Sequence, residues 1–135
     1  EQIMIAAGSR LDPGRAEITG HAIECRVNAE NTARNFMPTT GTVTKLRLPG
    51  GPGTRVDTHL FPNCVVSPYY DPLLAKLIAH HNTRIGAVKR VARMLGETKI
   101  EGVITNIDLL LNLLANEKFL SGNGDTSLVM QLMKK

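Results

Sequence analysis

The stretch Ile18-Thr19-Gly20-His21-Ala22-Ile23-Glu24-Cys25-Arg26-Val27 alternates, with Ile23, Cys25 and Val27 on one side of an extended chain and Ala22, Glu24 and Arg26 on the other. A period of two is the mark of a strand buried on one face, so a β-element opens the domain. Thr42 to Leu48 and Thr54 to Leu60 are strand-like as well. In the second of these Thr54, Val56, Thr58 and Leu60 face one way, and Arg55, Asp57 and His59 the other. Between the two runs, Pro49-Gly50-Gly51-Pro52-Gly53 admits neither helix nor strand and predicts a tight turn closing a hairpin. Asn28 to Pro38 breaks the alternation and reads as a loop.

The pattern then changes period. Asp71-Pro72 combines a capping side chain with a residue suited to the first helical position, predicting a helix with Leu73, Leu74, Leu77 and Ile78 as its apolar stripe. A second helix is expected from Thr83, with Ile85, Val88, Val91 and Leu95 inward and Arg84, Lys89, Arg90 and Arg93 outward. Lys99 to Ile104 has a short strand-like core. Thr105-Asn106-Ile107-Asp108 resembles a capping box before a third helix carrying Leu109, Leu110, Leu113 and Leu114. Ser121 to Thr126 is a glycine-containing turn that leads into a short apolar helix. Glu1 to Ala7 reads as the last turns of a helix stopped by Gly8, with no cap before it, which predicts a fragment of a longer polypeptide. The expected fold is α+β in one domain: 1–17 a helix end and linker, 18–68 an antiparallel β-rich part, and 69–135 helices packed on the sheet.

Composition narrows the function. With 42% hydrophobic and 21% charged residues over 135 positions, the chain has a globular balance and enough length for its own core. Sixteen Lys and Arg against twelve Asp and Glu give a net charge of +4, which suits an anionic small molecule. Aromatic residues are only 4% and the basic residues are dispersed, which argues against nucleic acid. The absence of a long apolar run argues against a membrane span and for a soluble, cytoplasmic protein, mitochondrial if eukaryotic. Cys25 and Cys64 form no CxxC pair and read as small buried hydrophobes.

Candidate chemistry centres on Arg55. A glycine loop can present backbone N–H groups to an anion, and the arginine that follows can make paired, charge-assisted bonds to an oxyanion; a purely structural turn uses the same residues. GxxxxGK[ST], GxGxxG and Gx[ST]xG motifs are absent. His21, His59, His80 and His81 have no ligand partners at standard metal spacing. Asp71 with Lys76, and Glu24 with Arg26, read as a cap and a strand-face pairing.

Several strings in order then carry a resemblance: Gly20-His21-Ala22-Ile23-Glu24-Cys25-Arg26-Val27-Asn28-Ala29-Glu30-Asn31; Phe36-Met37-Pro38 with Gly41; Pro49-Gly50-Gly51 through Gly53-Thr54-Arg55-Val56-Asp57; Tyr69-Tyr70-Asp71-Pro72-Leu73-Leu74-Ala75-Lys76-Leu77-Ile78; and Gly102-Val103-Ile104-Thr105-Asn106. Together they resemble the C-terminal domain of biotin carboxylases, the component found in acetyl-CoA and pyruvate carboxylases. The resemblance implies an ATP-dependent ligase that uses ATP, Mg or Mn and bicarbonate to make carboxyphosphate and carboxylate biotin on a carrier protein. By the same resemblance Arg55 lies beside the biotin ureido group and stabilises its enolate oxyanion. Thr126 and Ser127 fall near the adenine of ATP, and Arg84 lies at a homodimer interface.

The family's ATP-grasp lysines, metal-binding glutamates and catalytic N-x-R-x-Q-V-E stretch precede the segment matched here. The resemblance therefore implies a chain inactive alone, with no cofactor tightly bound, which depends on the ATP-grasp portion of the same enzyme. The competing expectation is a non-catalytic module for dimerisation or carrier docking.

Overall fold

The computed structural model describes residues 1–11, 14 and 17–133. In chain order the elements are α1 (Gln2–Ala6), β1 (His21–Asn28), β2 (Glu30–Asn31), a 3-10 turn (Thr32–Arg34), β3 (Met37–Pro38), β4 (Gly41–Thr42), β5 (Lys45–Arg47), β6 (Thr54–Thr58), β7 (Val65–Val66), β8 (Leu73–His81), α2 (Arg84–Glu97), β9 (Lys99–Glu101), α3 (Ile107–Leu114), α4 (Glu117–Leu120) and α5 (Ser127–Met133). The fold is α+β. Its main sheet has the order β1-β8-β6, antiparallel throughout, and three two-stranded ladders join β2 to β3, β4 to β7 and β5 to β9.

Alternation in β1 is realised as expected: Cys25 and Val27 are buried while Ala22, Glu24 and Arg26 are exposed. These residues join Ala75, Leu77 and Ala79 of β8 and Val88, Val91, Met94 and Leu95 of α2 in one core. A second core forms from Ala29, Val43, Leu60, Cys64, Val66 and Leu74. Leu74 occupies the opposite face of β8 from Leu77, so the central strand is covered on both faces at its start. Farther along, Lys76, Ile78 and His80 share the side of Leu74 but lie beyond its cover.

Three expectations about the strands and their connections are corrected. Leu73–His81 is the central strand of the sheet, not a helix. Its doublets Leu73-Leu74 and Leu77-Ile78 fit a helical stripe as well as a strand with apolar residues on both faces, and pairing on both edges selects the strand. Asp71 does make the expected side-chain bond, its Oδ1 accepting from the Leu73 N–H at 2.8 Å, but as a turn entering a strand. The nominally helix-rich part from residue 69 therefore begins with the longest strand. Second, β5 and β6 flank the Gly/Pro turn without pairing with each other. Leu46 packs on the second core and Val56 on the first, so the turn carries the chain from one core to the other. Third, Asn28 to Pro38 holds a small ladder and a 3-10 turn.

Helix α2 starts at Thr83, whose hydroxyl accepts from the Gly86 N–H at 3.2 Å, and Ile85 turns outward at 47% exposure. At α3 the expected capping box is absent, because Asn106 turns its side chain to β1. Its Oδ1 accepts from the Asn28 N–H (3.0 Å), its Nδ2 donates to the Arg26 carbonyl (3.2 Å) and its own N–H donates to the Asn28 carbonyl (3.2 Å). One buried amide thus closes the free edge of β1 as a neighbouring strand would. Asn106→Ala removes the two side-chain bonds, leaving the Asn28 N–H and the Arg26 carbonyl unpaired while the backbone bond to the Asn28 carbonyl stays, and is expected to destabilise the fold by about 1–3 kcal/mol, measurable by urea denaturation.

Candidate functional site

On the uncovered face of the main sheet, strand register sets two rows of side chains across three strands. One row is Glu24, Ile78 and Arg55; the next is Arg26, Lys76 and Asp57. Directly opposed residues in antiparallel strands bring their Cβ atoms to about 4.5–5.5 Å, so each row is a line of neighbours. The backbone that leads into Arg55 is set by Gly53. That residue has φ +68, and an added Cβ would stand 2.7 Å from the His80 carbonyl oxygen, which is itself held by the Arg90 guanidinium. The turn before it is drawn tight by Thr54, whose Oγ1 donates to the Gly51 carbonyl at 2.6 Å.

Arg55 and Asp57 form a fork: Nε donates to Oδ1 at 2.9 Å and Nη2 to Oδ2 at 3.0 Å. These hydrogen bonds raise the pKa of the guanidinium and lower that of the carboxyl group, and the charges of Arg55 and Lys76 lower the latter further. The Arg55 side chain remains 71% exposed. The arrangement presents a permanent cation, oriented by a carboxylate, on an open sheet face. It can bind and stabilise an oxyanion.

The other sequence-derived site residues lie elsewhere. Ser127 starts α5, which packs on α3; its Oγ donates to Asp125 Oδ1 at 2.6 Å and accepts from Gln131 Nε2 at 3.0 Å. Thr126 precedes it and is exposed. Asp125 is held acidic by those Ser127 hydrogen bonds, the side-chain one foremost. Arg84 donates from Nε and Nη2 to the carbonyls of Leu120 and Phe119, at 3.3 and 2.5 Å, with its guanidinium 5.1 Å from the centre of the Phe119 ring. It ties α2 to α4. Arg55 stands on the open sheet face, and Arg84, Thr126 and Ser127 in the helical layer, so this chain does not gather them into one site.

From sequence, Asp57 is only a neighbour on the Arg55 face, and Lys76 is a helix-surface lysine beyond the Asp71 cap. Once β8 is a strand, Lys76 lies opposite Asp57. The available signal was the i, i+2 spacing of Arg55 and Asp57. Among the described residues no group of three or more His, Cys, Asp or Glu side chains converges as a metal site, and no helix is long and apolar enough to cross a membrane.

Both cysteines are free and buried. Burial, assisted by the charge of Glu24, pushes the Cys25 thiol up to about 11. Native protein at pH 8 is expected to leave Cys25 unmodified by iodoacetamide, with labelling only after urea unfolding, as mass spectrometry of the Cys25 peptide would report.

Comparison with known proteins agrees with this architecture. The sequence model of the biotin carboxylase C-terminal domain matches residues 24–131. Biotin carboxylase 1 of Bacillus subtilis (strain 168) is 44% identical over 128 residues, which cover 93% of this chain and 28% of that protein. The biotin carboxylase subunit of pyruvate carboxylase superimposes with a TM-score of 0.94 at 38% identity, over 98% of this chain and 30% of that one. The biotin carboxylase domain dimer of Hydrogenobacter thermophilus 2-oxoglutarate carboxylase, in complex with MgADP, ADP and bicarbonate, gives 0.93 at 38% identity, over 96% of this chain and 29% of that one. The chain spans less than a third of the length of these relatives. With the family model matched over most of its length, this chain belongs to the biotin carboxylase C-terminal domain family.

Proposed function

We propose that this chain forms the biotin-side wall of an ATP-dependent biotin carboxylase, working with the ATP-grasp portion of that enzyme and inactive without it. The observation that carries the reading is Arg55, which stands on the open sheet face with part of its guanidinium free. The biotin ureido group supplies the nitrogen that accepts the carboxyl group. As that nitrogen loses its proton, negative charge collects on the ureido oxygen, and Arg55 is placed to hold it by charge and N–H donation. Asp57 orients the guanidinium edge, and the open face gives access to a biotin carried on a separate carrier protein or domain.

On this reading Thr126 and Ser127 lie toward the nucleotide, whose Mg or Mn ion is held outside this chain. Arg84 supports a homodimer surface indirectly, by fixing α4 against α2. Acceptors such as acetyl-CoA or pyruvate are chosen elsewhere in the parent carboxylase.

The test is ATP- and bicarbonate-dependent carboxylation of free biotin by this chain alone, by the chain combined with the ATP-grasp portion, and by the same combination carrying Arg55→Ala. Activity confined to the combined sample and lost with Arg55→Ala supports the divided site. A folded, associated combination without activity favours a dimerisation or carrier-docking module.

A further inference from the structure

We propose that Asp57 is a positioning residue for Arg55, holding the guanidinium by its Nε–Nη2 edge while Lys76 offsets the negative charge that Asp57 brings to the site. The inference rests on the role of Arg55 proposed above. An arginine on an exposed strand face has little packing to restrict its long side chain, and at 71% exposure Arg55 is such a case. Both hydrogen bonds that its guanidinium makes among the described residues end on Asp57. They use the Nε–H and one N–H of Nη2, leaving both N–H groups of Nη1 and the other of Nη2 for an acceptor oxygen. A fork engaged on one edge fixes the plane and direction of the other.

A carboxylate so close to the guanidinium would weaken its attraction for a developing oxyanion. The sheet register answers this. Lys76 lies directly opposite Asp57, and Arg26 is next along the same row. Lys76 is also among the charges that keep Asp57 ionised. Counting Arg55, Lys76 and Arg26 against Asp57 and Glu24, the two rows keep an excess of one positive charge. Asp57 can therefore orient the arginine without neutralising the surface.

An exposed pair of this kind adds little to folding, so Asp57 variants are expected to fold. In the full-length enzyme that contains this chain, Asp57→Ala is expected to lower kcat for biotin carboxylation roughly ten- to hundredfold. The KM for ATP and the melting temperature should stay at the parent values. Asp57→Glu should restore part of the rate, and the Arg55 Nε–H resonance should lose its protection from solvent exchange in Asp57→Ala. A parent-like kcat in Asp57→Ala beside an inactive Arg55→Ala overturns the positioning role and leaves the Arg55 reading intact. Parent-like rates in both variants overturn both. A lowered kcat accompanied by a lowered melting temperature, with no recovery in Asp57→Glu, assigns Asp57 to structure and also overturns the proposal.

Discussion

On the proposed reading, Arg55→Ala in a carboxylase that contains this chain is expected to lower kcat for ATP-dependent carboxylation of biotin by roughly a hundred- to a thousandfold, the range seen when a donor to a developing oxyanion is removed. The size follows from timing: the guanidinium matters most when charge has moved onto the acceptor oxygen, so its loss falls on the chemical step more than on ground-state binding. On the same reading the KM for ATP should move little, because the Arg55 face lies across the sheet from the helical layer in which Thr126 and Ser127 are proposed to lie toward the nucleotide. Arg55→Lys keeps the charge but loses the planar fork that Asp57 grips at 2.9 and 3.0 Å, so it should recover only part of the rate. Carboxybiotin formation and phosphate release, followed together, supply the measurement. An Arg55→Ala enzyme within about twofold of the parent rate removes this residue from the chemistry.

How much of this was legible before folding differs by element. The face of β1 could be read directly, because Ile23, Cys25 and Val27 alternate with polar residues and only one side is covered. Thr83 and the α2 stripe were legible because a cap side chain and a 3.6-residue period agree. Strand β8 was not, because double cover at its start and the apolar Ile78 on its open face break the alternation, and Asp71-Pro72 offers the same local chemistry to a strand entry as to a helix start. Missing β8 also hid part of the site. Lys76 meets Asp57 only through the pairing of β6 with β8, information that no local window contains. The role of Asn106 was hidden in the same way, since its partners are Arg26 and Asn28, some eighty positions earlier. Arg55 was singled out as a candidate through its motif, and the i, i+2 spacing already placed Asp57 on its face.

Leu77→Ala is expected to destabilise this chain by about 3–5 kcal/mol in urea unfolding, whereas Ile78→Ala should cost about 1 kcal/mol. Leu77 is fully buried among Cys25, Val27, Val88 and Val91, and truncating it opens a cavity in the middle of the core that two β-strands and α2 cannot close without moving together. Its neighbour Ile78 turns to the open face between Glu24 and Arg55, where water already reaches it and truncation leaves no void. The contrast between the two is sharper than either value. A helix over Leu73–His81 would set Leu77 and Ile78 on adjoining parts of one stripe, and their truncations would cost similar amounts. A central strand sends them to opposite faces. Equal losses at the two positions would therefore undo the strand and, with it, the register that brings Lys76 beside Asp57. A large loss at Leu77 alone supports the sheet on which Arg55 stands.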